Sequence, residues 1–501
     1  MIWPLRSRTA AQRKSRSILI AERLEDRTLF STYTVANLAD HGTGSLRQAI
    51  LNANANAGTN TIAFASGLHG TIPLTTGQLL ITRSVSIEGP GASVVSVSGN
   101  DQSRVFEIEG ATSKVSINGL TVTKANPGLV FGGGILNYGI LTLTNCVVSD
   151  NVCASLEVDG VFGGGAGLSN FGMAYVSGTW FVDNTVYAHD DSSRVGGGAI
   201  YNANDLWLTN DTIKNNAADV SPSVASNAYV IVGGGGIYSR GNTMINDTTI
   251  SGNSVTNINV PKTTLDNTLG GGICSIGTLT VTASTISGNT LFSGGGNLSD
   301  GGGIYAGGTT MMENSTIYDN TSGALGAGGG DSSAGNGGGI TQAHGTMTLV
   351  NCTIADNLAL DLGGGINLSG GTLKIGNTIL ATNSDQGEDQ SPVSNFDFLP
   401  NGGTLDSLGH NLVGAIGDSN LIYGKLWATS DILGTGSTVI NPKLGPLGNN
   451  GGLTETLAIT SASPAYNAGN NTIANDYGLT TDQRGKPRID HGTVDIGAYE
   501  A

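Results

Sequence analysis

The chain has 501 residues, of which 38% are hydrophobic, 5% aromatic and 12% charged, with 79 glycines and a formal net charge of −16. That acidic excess disfavours nucleic acid and anionic membranes as partners. The glycines keep no G-X-Y period, which excludes collagen, and no apolar run reaches the length of a membrane-spanning helix.

In chain order, residues 1–31 come first and are basic. Arg6, Arg8, Arg13, Lys14, Arg16, Arg23 and Arg27 face only Glu22, Glu25 and Asp26, so this segment is +4 and the rest of the chain carries −20. The apolar stretch within it, "SILIA" at 17–21, is too short for a signal-peptide core, and an export or targeting segment is the expected role. "SVSIEGPG" at 84–91 and "KVSINGLTVT" at 114–123 then look like irregular first coils of a repeat.

The repeat is clear over 132–383. Eight copies open on an aliphatic residue (Ile135, Leu168, Ile200, Ile237, Ile273, Ile304, Ile340, Ile366) and close on an asparagine (Asn151, Asn184, Asn216, Asn253, Asn289, Asn320, Asn357, Asn383). The two are 16 or 17 residues apart in every copy, whereas 9 to 21 residues separate a closing Asn from the next opening residue. A rigid unit therefore alternates with an elastic loop. Within the unit a second apolar column runs Leu143, Val176, Leu208, Ile245, Val281, Met312, Leu349, Ile375. A third runs Val148, Phe181, Ile213, Ile250, Ile286, Ile317, Ile354, Leu380. Thr and Ser alternate with them, as in "LTLT" at 141–144, which is the period of a half-buried strand.

Short strands at this spacing, with no helix between them, predict an all-β, right-handed parallel β-helix over 32–440. Like residues should stack about 4.8 Å apart, giving about 34 Å of rod from the eight copies. Propeller blades need four strands in about 40–45 residues, too many for this unit. Asn tolerates the left-handed region and stacks as hydrogen-bonded amides, so the closing column reads as a turn ladder. The acidic "SDQGEDQSPVSNFDF" after Asn383 breaks the pattern as a protruding loop or a boundary, and residues 441–501 form a separate C-terminal region.

Three resemblances rest on particular stretches. The GGGI…TLTV…STISGN repeats resemble bacterial right-handed parallel β-helix proteins of the pectate-lyase-like superfamily. "RLEDRTLFS" (23–31) is similar to the LEPR-XLL motif of bacterial surface proteins, with Asp26 in place of the proline. "YTVANLADHGTGSLRQAILNAN" (33–54) is similar to the start of many secreted β-helices. "LGPLGNNGGLTETLAI" (444–459), "SPAYNAG" (463–469), "TDQRGKPR" (481–488) and "VDIGAYE" (494–500) resemble the choice-of-anchor Q domain. Together these imply a protein secreted by, or held on the surface of, a bacterium.

Candidate chemistry is sparse. Outward positions include Glu313 and Lys374, two coils apart with no carboxylate beside them, and a threonine row, Thr212, Thr249, Thr285, Thr316 and Thr353, suited to strand pairing and water. Asp150 and Asp183, and Asp319 and Asp356, recur before the closing Asn. Stacked in pairs they could bind Ca²⁺, though Asp is equally a turn former. His189, Asp190, Asp191 and Arg194 share one loop, near Arg240 and Lys214. Tyr201, Tyr238 and Tyr305 follow the opening Ile and should point outward; with Trp207, and with Trp180 nearby, they are the candidate carbohydrate contacts. Cys146 and Cys153 are close enough in sequence to pair, with Cys274 and Cys352 apart from them. The expectation is a monomeric, non-catalytic surface scaffold that binds extracellular polysaccharide or cell-envelope components through loops on one face. A polysaccharide lyase or glycoside hydrolase is the alternative.

Overall fold

The computed structural model describes residues 31–129, 131–155, 163–188, 194–220, 231–257, 267–293, 298–324, 335–386, 397–416 and 426–501. The chain winds into a right-handed parallel β-helix. One coil shows the plan. Ile237–Ser239 lies in sheet 1, Asn242–Asn246 in sheet 2 and Thr249–Ser251 in sheet 3. The chain then runs out along Ser254–Asn257 in sheet 4 and returns along Asn267–Leu269 in sheet 5. Among the described residues these five sheets hold 11, 13, 13, 8 and 6 strands, all parallel.

The three apolar columns stack in register. Ile237 sits between Ile200 and Ile273, Ile245 between Leu208 and Val281, and Ile250 between Ile213 and Ile286. All of these side chains are buried, and one continuous core runs the length of the rod between sheets 1, 2 and 3. Each buried aliphatic contributes about 1.5–3 kcal/mol.

The asparagine ladder forms as the repeat predicts, in more detail. Each Nδ2 donates to the Oδ1 of the Asn in the next coil at 2.8–2.9 Å, from Asn151 through Asn383. Each Nδ2 also donates to a carbonyl of the coil behind, as Asn253 does to Ile213 at 3.0 Å. Asp397 ends the ladder, accepting both the backbone N–H and the Nδ2 of Asn383. The ladder asparagines are not themselves left-handed. The positive φ belongs to the residue before each: Asp150, Asp183, Asn215, Gly252, Gly288, Asp319, Asp356 and Thr382.

The elastic loop needs correction. In the six copies from Asn151 to Ile340 both its arms are strands, and sheets 4 and 5 face each other over a second core that includes Cys153, Val186, Val195, Ala218, Val232, Val255 and Leu291. Most of the length variation falls on residues outside the described ones, His189, Asp190 and Asp191 among them, while the short segment between Asn357 and Ile366 is described throughout and has no sheet 5 strand. Arg194 opens the strand Arg194–Gly196. The glycine triplets bring sheet 5 back against sheet 4. A Cβ on Gly235 would collide with the carbonyl oxygens of Ser254 and Gly271. Cys146 and Cys153 are free and buried in different cores, the first in the rod and the second in this lobe.

Both ends are covered. Helix α1 (Leu46–Ala55), capped by Ser45, turns Leu46, Ala49, Ile50 and Ala53 onto the first coils. Its Arg47 pairs with Asp40 at 2.7 Å. Burial works against that carboxylate's charge, but hydrogen bonds from Thr76, Arg47 and Thr75 bring its pKa down to about 2. At the other end Trp427 meets Phe398 edge-on, with ring centroids 5.3 Å apart.

Residues 441–501, which include helix α2 (Asn471–Asp476), fold back as a strap on the outer face of sheet 3. Thr454 donates to Ala283, Asn314 to Thr481, Gly497 to Asn377, and the Ala498 N–H to Thr353. Thr285, Thr316 and Thr353 are therefore buried beneath it rather than hydrated. The four quoted stretches of this region converge. Arg488 is fully buried and meets Glu500 at 3.2 Å, while Arg484 pairs with Asp482 at 2.6 Å and lies over the Tyr499 ring. Among the described residues no helix is long and apolar enough to cross a membrane.

Candidate functional site

Outward-facing residues of sheet 2 form a register column in which Thr142, Tyr175, Trp207, Met244, Thr280 and Met311 follow one another up the rod. Alternation along each strand buries Leu206 and Leu208 and turns Trp207 out. Tyr175 and Trp207 are stacked, with ring planes 8° apart and centroids 4.4 Å apart. Tyr175 is 41% and Met244 48% exposed. Next to Trp207 is a pocket of about 190 Å³ lined by Trp207, Leu208, Thr209, Met244, Ile245, Asn246, Thr280 and Thr282.

Polar groups border it on both sides. Asn242 donates to Asp205 at 2.8 Å, and Asn246 to Asp247 at 2.6 Å. Burial raises the pKa of Asp247, against the pull of Asn246, and that of Glu313 farther along the Asn246–Thr282 column.

The other sequence candidates fall elsewhere. Tyr201 and Tyr238 point away from the rod core, but not into solvent: each is 1% exposed. They stack on each other at 5.8 Å and are roofed by sheet 5, where Gly196 leaves room for the Tyr238 ring. Cys274 continues that row, also buried, and half-buried Tyr305 packs against its end. A sugar ring cannot reach the Tyr201–Tyr238 pair. Trp207 alone of the four candidates lies on the open face of sheet 2, and Trp180 is exposed on sheet 3. Tyr175 and Met244, missed as contacts, were visible as its neighbours in the outward column.

Asp150, Asp183, Asp319 and Asp356 are exposed, left-handed turn residues. Burial and then the neighbouring Asp356 raise the pKa of Asp319. Two carboxylates supply at most four oxygens of the about six to eight that Ca²⁺ takes. Among the described residues no group of three or more His, Cys, Asp or Glu side chains meets in a metal-binding arrangement. Lys374 does have a carboxylate beside it: Asp406 in the next coil, at 3.9 Å.

Fold and face together define a parallel β-helix with an aromatic pair, exposed Tyr175 and half-buried Trp207, beside a small pocket on the outer face of sheet 2. No protein-family model matches the chain, and no curated protein matches it either.

Proposed function

We propose that the chain is an exported bacterial surface protein whose β-helix serves as a rigid scaffold for carbohydrate binding, with the outer face of sheet 2 around Trp207 as the contact. The observation that carries this is the outward-facing stack of exposed Tyr175 on half-buried Trp207 beside the 190 Å³ pocket. Flat apolar rings flanked by hydroxyl and amide groups suit the alternating apolar faces and polar edges of sugars. Export is supported by the likeness of residues 23–54 and 444–500 to bacterial surface and secreted proteins.

The test is binding to a glycan array and to isolated cell walls. Trp207→Ala should lose about tenfold or more in affinity, as for one lost anchor, while the melting temperature stays put because Trp207 lies outside the core. Equal binding by the variant would refute the site. Fractionating cells that express the chain with and without residues 1–31 tests export, and an unchanged cytosolic location for both forms would remove that half of the reading.

A further inference from the structure

Resting on the carbohydrate reading, we propose that the pocket takes one neutral or amino-sugar ring inserted edge-on, as a chain end or side branch, and not a polymer lying flat along the sheet.

Ring orientation comes first. Tyr175 and Trp207 are neighbours along the rod axis, and their 4.4 Å centroid separation is close to the strand spacing of about 4.8 Å. With planes only 8° apart, the ring normals run near that axis and the ring edges face solvent. A chain laid on sheet 2 would therefore meet edges, which stack poorly on a sugar. One Trp207 face is taken by Tyr175. The pocket lies on the other: its lining runs from Trp207 through Met244 to Thr280 and does not include Tyr175.

Size and polarity agree. At about 190 Å³ the space is smaller than the about 300 Å³ at which drug-sized ligands begin, and fits one ring rather than an oligomer. Thr209, Asn246 and Thr282 stand in one column along its edge and offer hydroxyl and amide groups. Asn246 spends its Nδ2 on Asp247, and its Oδ1 faces no donor among the described residues, so it can accept from a sugar hydroxyl. None of the lining residues is basic, while Asp205, Asp247 and Glu313 surround them. Carboxylated or sulfated sugars would be repelled, whereas neutral and amino sugars would not.

The experiment uses the whole protein on an array of linear, branched and end-blocked oligosaccharides, with methyl glucoside, glucosamine and galacturonate titrated by saturation-transfer NMR. Retained glycans should share a terminal or branch ring that is neutral or amino, with affinity independent of chain length. Met244→Phe, which fills the pocket and leaves the stack intact, should weaken binding about tenfold. Affinity that grows with chain length, a preference for galacturonate, or indifference to Met244→Phe would overturn this inference and leave carbohydrate binding standing. Retention of no glycan would overturn both.

Discussion

Asn253 shows what a single ladder position does. Its Oδ1 accepts the N–H and the Nδ2 of Asn216, and its own amide donates to Ile213 and Asn289. All of this is buried, so Asn253→Ala strands donors and acceptors in three coils at once. A loss of about 3 kcal/mol is expected, read as a shift of the urea midpoint. Asp183→Gly, one position before a ladder Asn at φ 56°, should cost nothing, because glycine adopts that conformation freely. The ladder was legible because one residue type fills the column. Its left-handed neighbours were not, since Asp, Asn, Gly and Thr share that position.

A second short-side-chain row stands at the turn from sheet 2 to sheet 3, where Thr179, Thr248, Ser284 and Ser315 accept the backbone N–H of the coil behind. Asp211 occupies one place in it. Burial pushes its pKa up to about 7, outweighing hydrogen bonds from the N–H groups of Thr179 and Thr209. The folded state then holds a proton that the unfolded state, with its carboxyl near 3.8, has released. Stability must fall as pH rises from about 4 to about 7. Asp211→Thr, matching its neighbours in the row, should be more stable than the parent at pH 8 and lose that advantage at pH 4. Parallel denaturation curves at the two pH values decide it.

Among elements, the strap depends on Arg488, which is buried against Glu500 and also donates to the carbonyls of Asp495 and Gly497. Arg488→Met leaves Glu500 buried without its cation, a cost of about 3–5 kcal/mol. That cost should fall on docking of the strap: limited proteolysis should cut within 441–501 first, with the rod still protected. A cleavage pattern equal to the parent's would show the strap held by its other contacts. The quoted motifs of this region were readable as a set, but their contact with sheet 3 was not, since no period links residue 498 to residue 353. The strands of sheets 4 and 5 were missed for a different reason. Their alternation is carried by Ala, Ser, Gly and Val rather than Ile and Leu, as in Ala217–Val220, so they read as loop. That omission misplaced Tyr201 and Tyr238, because without sheet 5 the outer face of sheet 1 looked open to solvent.

At the scale of the whole molecule, stacked parallel sheets leave an edge at each end of the rod, which would pair with another molecule if bare. Helix α1 covers the first coils with Ile50 fully in the core. Ile50→Asp should lift the helix and produce larger species on size-exclusion chromatography, whereas a monomeric profile would mean the remaining cap suffices. The rigid unit and its three core columns were legible beforehand, because the solenoid repeats each choice in the same register. The caps were not, because each occurs once.

The strap also sets a rule for how this chain can change its length. It grips consecutive strands of sheet 3 from Thr285–Ser287 through Ile379–Ala381 and on to Leu412–Ile416. Duplicating a turn on the N-terminal side of Thr285 would simply lengthen the rod. Duplicating one beneath the strap would carry its far anchor points one strand spacing out of reach, about 4.8 Å. Growth of the gene by repeat gain is thus permitted in one half of the molecule and blocked in the other.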